Sequence, residues 1–448
     1  MDNQASVVGL VNYQSELDFK AWLSMPVTTP EYGRMVPSGA KIHLIAVGGG
    51  LTAGVQNGGL SRQGQLSAYP NLVAKQLGMA DFVTPAFSET EANGTGFLIP
   101  DPDDVSPFPK FRRVTNNLAP VRNEHAGYPP MLSAYNGRVH NFSAPGLSLD
   151  GILNNTWAPW MIDKVVSLNS GKSWASYMPY LWRFTPQDRY AESTLADLIT
   201  EKSEFNFFLL EGMHERFLHV LKSRAQIGLS DLIGDLETGT DVGLRGIKLL
   251  TKGGAKGVIF TIPHFQDLAA YNWYTPDYIR HNASAIDLSI ALPSGGIQKI
   301  DPAEPFWLLP SPAVDAAYRK FEKGGVFAGT FDDIDALSRT ELIQYTTAVN
   351  IYNSKIKKWA LEYDLALVDL EDIYHKVHLG QYKTTAGLII DGGRDGNFFS
   401  WDGIYPSTLG HAVIANEVLR AIAEKYSAHV PAIDVDEYAK TIHLTLNR

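Results

Sequence analysis

Short unbroken apolar runs, bounded by glycine, proline or polar residues, mark buried strands in this chain. Lys41-Ile42-His43-Leu44-Ile45-Ala46-Val47 is the first, and Phe205–Leu210, Lys256–Pro263 and Ala366–Leu370 are three more. Between and after them the pattern takes a helical period. Asn71–Gly78 reads as a short helix that stops on its glycine. Ser338-Arg339-Thr340-Glu341 has the form of a capping box, and Leu342, Tyr345, Val349, Tyr352, Ile356 and Trp359 follow at helical spacing. A last helix begins near Ser407 and carries Val413, Ile414, Val418, Leu419 and Ile422. Strands alternating with helices predict an α/β domain in which helices cover both faces of a parallel sheet.

The pattern lapses in three places. Residues 1–38 show no sustained period and read as an N-terminal arm. Residues 80–140 are rich in Pro, Asn and Gly and read as a long loop-built insertion, of the kind that forms walls or carries function. A second insertion spans about 265–333, with several prolines and mixed polarity. No repeat, low-complexity tract or linker divides the remainder, so residues 39–448 are expected to form one elaborated domain.

Composition narrows the function classes. The chain has 448 residues, 45% of them hydrophobic, with 20 Phe, 20 Tyr and 9 Trp, enough to bury a sizeable core. Its formal charge of −10 and lack of a basic stripe argue against a nucleic-acid partner. With no cysteine, disulfides and thiolate–metal sites are excluded, and no HExxH pattern is present. No cofactor or metal is expected. No apolar run approaches the roughly 20 residues that span a bilayer. Met1-Asp2-Asn3-Gln4 opens no recognisable signal, which suggests a cytoplasmic protein or one whose export signal has been removed.

Four segments, in order, carry a family resemblance. The first is Ala46-Val47-Gly48-Gly49-Gly50-Leu51-Thr52-Ala53-Gly54, followed by Gly64-Gln65 and Tyr69-Pro70-Asn71. The second is Asn141-Phe142-Ser143-Ala144-Pro145-Gly146, and the third is Phe207–Leu210 running into Glu211-Gly212-Met213-His214-Glu215. The fourth is Phe399-Ser400-Trp401-Asp402-Gly403-Ile404-Tyr405-Pro406, with Ala415-Asn416-Glu417 beyond it. Together they resemble the SGNH (GDSL) hydrolases, and more narrowly the large SGNH-like outer-membrane lipoproteins of Bacteroidota. The resemblance runs from about Ile42 to the end. It implies a three-layer α/β/α fold with a parallel sheet of flavodoxin-like order, and an exported protein on which Met1 stands in for a lipidated cysteine.

The resemblance stops at the chemistry. Hydrolysis of this type needs a hydroxyl nucleophile, a histidine base, an aspartate to orient it and an oxyanion hole. The nucleophile position here is Gly50, and the base position is Tyr405, a phenol with a reference pKa of about 10. The two oxyanion positions are Ser143 and His214, and only the orienting acid survives, as Asp402. In a serine hydrolase, loss of nucleophile or base alone costs on the order of 10⁶ in kcat. These five residues therefore outline a vestigial pocket in a pseudoenzyme with no functional catalytic residue. His214, Tyr405 and Asp402 are expected to hydrogen-bond to one another and fill it.

The resemblance implies a protein that acts by binding, as an accessory lipoprotein subunit of an outer-membrane protein complex, held to the membrane only by a lipid anchor. An ester or carbohydrate-ester hydrolase with a rearranged site is the enzymatic alternative, drawing on His214, Glu215, Asp402 or a displaced base at His411. Thr52, two residues past Gly50, is a substitute nucleophile on that view. A surface glycan-binding lipoprotein is a third reading, resting on the aromatic stretches Trp157–Trp160 and Trp174–Trp182. Gly48-Gly49-Gly50-Leu51-Thr52-Ala53 also fits a dinucleotide fingerprint, but Val55–Gly59 reads as loop where that fingerprint must open a helix.

Overall fold

Strand β1 (Leu44–Gly48) is buried at every position, as a strand covered on both faces must be. The same holds for β2 (Asn141–Ser143) and β3 (Phe207–Leu210), and nearly so for β4 (Lys256–Phe260) and β5 (Ala366–Val368). All pairings are parallel, in the order β2-β1-β3-β4-β5. Numbered along the chain this is 2-1-3-4-5, the flavodoxin-like order. The computed structural model describes residues 19–101, 110–122, 131–147, 178–181, 183, 194–202, 204–222, 243–273, 276–292, 294–321, 323–393 and 396–441.

Helices flank this sheet, consistent with a three-layer α/β/α arrangement. They are α1 (Tyr69–Gln76), α2 (His214–Lys222), α3 (Arg339–Glu362), α4 (Leu370–His378) and α5 (Thr408–Tyr426). The capping box read at Ser338 is formed in both directions with Glu341. Ser407 caps α5 by accepting from Gly410 N–H. Phe217 of α2 packs edge-on against Tyr345 and Tyr352 of α3, so the helical stripe read in the sequence is the buried one. Asn353 uses both ends of its amide on the backbone of Ile262, just past β4.

Strand β2 escaped the sequence reading, being three residues long and opening on a polar Asn141. The second insertion is more ordered than its mixed polarity suggests. Ala285–Ala291, Ile297–Lys299 and Val326–Asp332 form a three-stranded sheet. With the helix Pro312–Lys320 they enclose a separate small core containing Leu288, Phe306, Val314, Tyr318 and Phe327. The first insertion, where described, is irregular apart from a 3-10 turn at Glu89–Glu91 and two short antiparallel strand pairs. The N-terminal arm is described from Phe19 onward. Phe19 and Trp22 pack against Tyr438, and Met35 and Val36 join the main core.

Tyr426, the last residue of α5, ties the amino-terminal ends of β4 and β5 together. Its buried hydroxyl donates to Gly257 O at 2.8 Å and accepts from Ala366 N–H at 3.2 Å. Tyr426→Phe strands those groups, and the expected loss is about 1–3 kcal/mol. Urea unfolding checks this: the midpoint should fall with no change in the slope.

Candidate functional site

In a doubly wound sheet, ligands bind beyond the carboxyl ends of the strands where the strand order reverses. Here that point lies between β1 and β3. After β1 the backbone passes Gly49 into a single helical turn, Gly50–Ala53, closed by Gly54 in the left-handed region at φ 86°. After β3 it passes Glu211 and Gly212 into α2, whose first residues are His214 and Glu215. Ser143 ends β2 directly beside Gly48. The loop Phe399–Pro406, pinched by a bridge between its end residues, brings Tyr405 over Gly50.

Two carboxylates meet two consecutive backbone amides at this point. Gly49 N–H donates to Glu211 Oε2 at 3.1 Å, and Gly50 N–H donates to Glu215 Oε1 at 2.5 Å. The Tyr405 hydroxyl donates to the same Glu215 oxygen at 2.6 Å. Thr52 adds a hydroxyl to Glu211 Oε2 at 3.1 Å and itself lies 3.0 Å from the Tyr69 hydroxyl. Glu211 and Glu215 are only 3% and 7% exposed. Burial, with the Glu215 charge as the second cause, raises Glu211 from the usual carboxylate range to about 7. Burial also pushes Tyr405 and Tyr69 well above the ordinary phenol value, so both act as neutral donors.

This packing accounts for the run of three glycines. A Cβ on Gly48 would lie 2.4 Å from both Glu211 O and Thr52 Oγ1. On Gly49 it would stand 2.0 Å from Glu215 Cγ. On Gly50 it would meet Glu215 Oε1 and the Tyr405 ring at 2.7 Å. The volume that a side chain at Gly50 would need is filled by the side chains of Glu215 and Tyr405.

The expected network of His214, Tyr405 and Asp402 does not form. Tyr405 turns to Glu215, and the His214 ring lies edge-on to Tyr374. Asp402 accepts from the backbone N–H groups of Gly58, Ile404 and Tyr405, which take up its oxygens within the loop. Ser143 directs its hydroxyl to the Asn141 side chain. Thr52 is fully buried between Glu211 and Tyr69, with no histidine among its hydrogen-bond partners. His411 is a core residue of α5: burial lowers its pKa to about 3, and its Nδ1 accepts from Tyr69 N–H.

The glycine-rich turn opens four helical residues and then the tight turn Gln56–Gly59, not a dinucleotide-binding helix. Among the described residues, no three His, Asp or Glu side chains are placed to hold a metal ion. Trp157–Trp160 lies outside the described residues, as does Trp174–Trp182 apart from Met178–Leu181.

Glu211 is the site residue that the sequence reading missed. The usable signal was local: two acidic side chains in Glu211–Glu215 accompany three side-chain-free positions at Gly48–Gly50. A separate groove of about 640 Å3 lies away from this site, between the hairpin strand Tyr382–Lys383 and α5. Tyr382, Asn416, Glu417, Arg420, Ile433 and Asp436 are among its lining residues. No protein-family model matches the chain, and no curated protein matches it in sequence.

Contact with the stem of Glu215 at Gly49, but only with side-chain tips at Gly50, separates the two positions. Gly49→Ala is expected to cost about 1–3 kcal/mol, the usual range for overpacking, and Gly50→Ala less. Pairing Gly49→Ala with Glu215→Ala should recover part of that loss in a double-mutant cycle read by thermal or urea unfolding. Strict additivity would show that Glu215 does not fill the space.

Proposed function

We propose that this chain is a catalytically inactive SGNH-like protein that acts by binding, as an accessory lipoprotein subunit of an outer-membrane protein complex. The observation that carries the loss of catalysis is the occupied nucleophile position. Gly50 has no side chain, and Glu215 and Tyr405 take the space where one would project. The amide of Gly50, which in an SGNH hydrolase would face a developing oxyanion, already holds a carboxylate. A second anion there would have to displace Glu215. The location of the site at the β1/β3 crossover supports the SGNH-like reading, because the four resembling segments converge on that point.

The placement in the envelope rests on the resemblance alone. No helix among the described residues is long and apolar enough to cross a membrane. On this reading a lipid anchor supplies the attachment, and a membrane-protein partner supplies the specificity.

Turnover of short-chain nitrophenyl esters by the purified protein is expected to match the protein-free rate. Gly50→Ser with Tyr405→His should remain silent, because Glu215 still occupies the site. Adding Glu215→Ala to that pair makes room for the restored side chains. Native turnover above background that disappears in Glu215→Gln would replace this reading with the rearranged esterase. For the accessory role, the native protein should copurify from membranes in fixed stoichiometry with a membrane partner. Recovery only as a free, lipid-less chain would overturn that part.

A further inference from the structure

The contact between Glu215 and the Gly50 turn does more than fill space, because it sits beside a second buried acid. Consecutive amides hold one oxygen of each carboxylate, Gly49 for Glu211 and Gly50 for Glu215. The Gly49 and Thr52 donors to Glu211 fall on the same oxygen, Oε2, and the backbone N–H of His214 is the weakest of the donors that favour its charged form. The buried Oε1 makes no hydrogen bond. An ionised carboxylate with one bare buried oxygen, next to another carboxylate, is costly; a proton on that oxygen removes the repulsion. We propose that Glu211 and Glu215 form a proton-operated latch. A proton on Glu211 keeps Glu215 docked on Gly50 and Tyr405, and its loss releases Glu215 and opens the vestigial pocket.

The surroundings favour this sign. Glu211 is faced by Glu215 of α2, Tyr69 of α1, Tyr374 of α4 and Tyr405 of the Phe399–Pro406 loop, and the backbone of His214 adjoins it. Burial raises all three tyrosines, and the Glu211 charge raises them further, so they remain neutral across the physiological range. Asp402 adds negative charge near Tyr374 and Tyr405. None of the groups that shift Glu211 is a cation. A carboxylate raised to about 7 is protonated below that pH and charged above it, so the latch is shut in mild acid and opens as pH rises through 7.

Of the two acids, Glu215 is the one that leaves. Glu211 immediately follows β3, and its own backbone N–H is bonded to Val47 O at 2.9 Å. Glu215 lies one helical turn further on, and its carboxylate accepts from the Gly50 N–H and from the hydroxyl of Tyr405, which the Phe399–Pro406 loop brings in. Releasing it uncovers the Gly50 amide and leaves the Tyr405 hydroxyl without its acceptor. The inference concerns the geometry of the pocket and holds whether or not the chain hydrolyses esters.

The test is hydrogen–deuterium exchange of the peptide containing Gly48–Gly54, followed by mass spectrometry from about pH 5.5 to 8.5. Rates are expressed as protection factors, so that the pH dependence of intrinsic exchange cancels. In the unmodified protein, protection should be constant in mild acid and fall above about pH 7, by up to roughly tenfold per pH unit. Glu211→Gln carries no charge at any pH, and its protection should stay high throughout. Glu215→Gln keeps an oxygen for Gly50 but cannot be repelled, so its profile should also be flat, and it carries the test if Glu211→Gln does not fold. A flat profile in the unmodified protein, or a step that survives in a folded variant, overturns the latch.

Discussion

Contact between the backbone at Gly48–Gly50 and the acidic pair Glu211 and Glu215 is the constraint on which the carboxyl edge of this sheet depends. Burying a carboxylate is unfavourable unless donors are aimed at it. Here the donors are the first amides of a helical turn, which has no other partners for them. The arrangement works only while those amides can be approached closely, and each of the three glycines would put a Cβ into the acids or the groups that hold them. Glycine run and acidic pair are therefore one feature seen from two sides, and neither is explained alone.

Around this point the rest of the domain is conventional in its physics. Fully buried strands force helices onto the sheet, and the helices meet the strands through apolar stripes at the expected spacing. The polar groups that enter the core each close a specific gap. Asn353 completes the backbone beyond β4, Tyr426 joins β4 to β5, and Gln65 bonds Pro85 O and Phe87 N–H to seat the first insertion. Because these groups are satisfied, the scaffold holds its shape independently of any chemistry at the site.

Legibility in the sequence follows from how local each signal is. The four main strands and the helices at Ser338 and Ser407 were readable because their periods and caps lie within a few residues. Strand β2 was not, since three residues carry no period and Asn141 looks like loop until Thr52 O is there to accept its amide. The small core of the second insertion was hidden because its strands alternate exposed and buried positions around prolines. At the site, the resemblance singled out Gly50 and Tyr405, and their positions could be read. The contact that Tyr405 makes could not, because its partner Glu215 is 190 residues away in sequence.

Asp402 shows why a motif residue is a weak witness to chemistry. On the proposed SGNH-like reading it stands where an acid would orient a catalytic histidine. In this fold its two oxygens accept from the Gly58, Ile404 and Tyr405 N–H groups and from the Ser400 side chain, and the Gly58 bond joins the Phe399–Pro406 loop to the Gln56–Gly59 turn. That loop carries Tyr405 to Gly50. Replacing Asp402 would leave three amides without acceptors and release the element that closes the pocket. Its presence needs no histidine to explain it, because the carboxylate holds the loop that brings Tyr405 to Gly50.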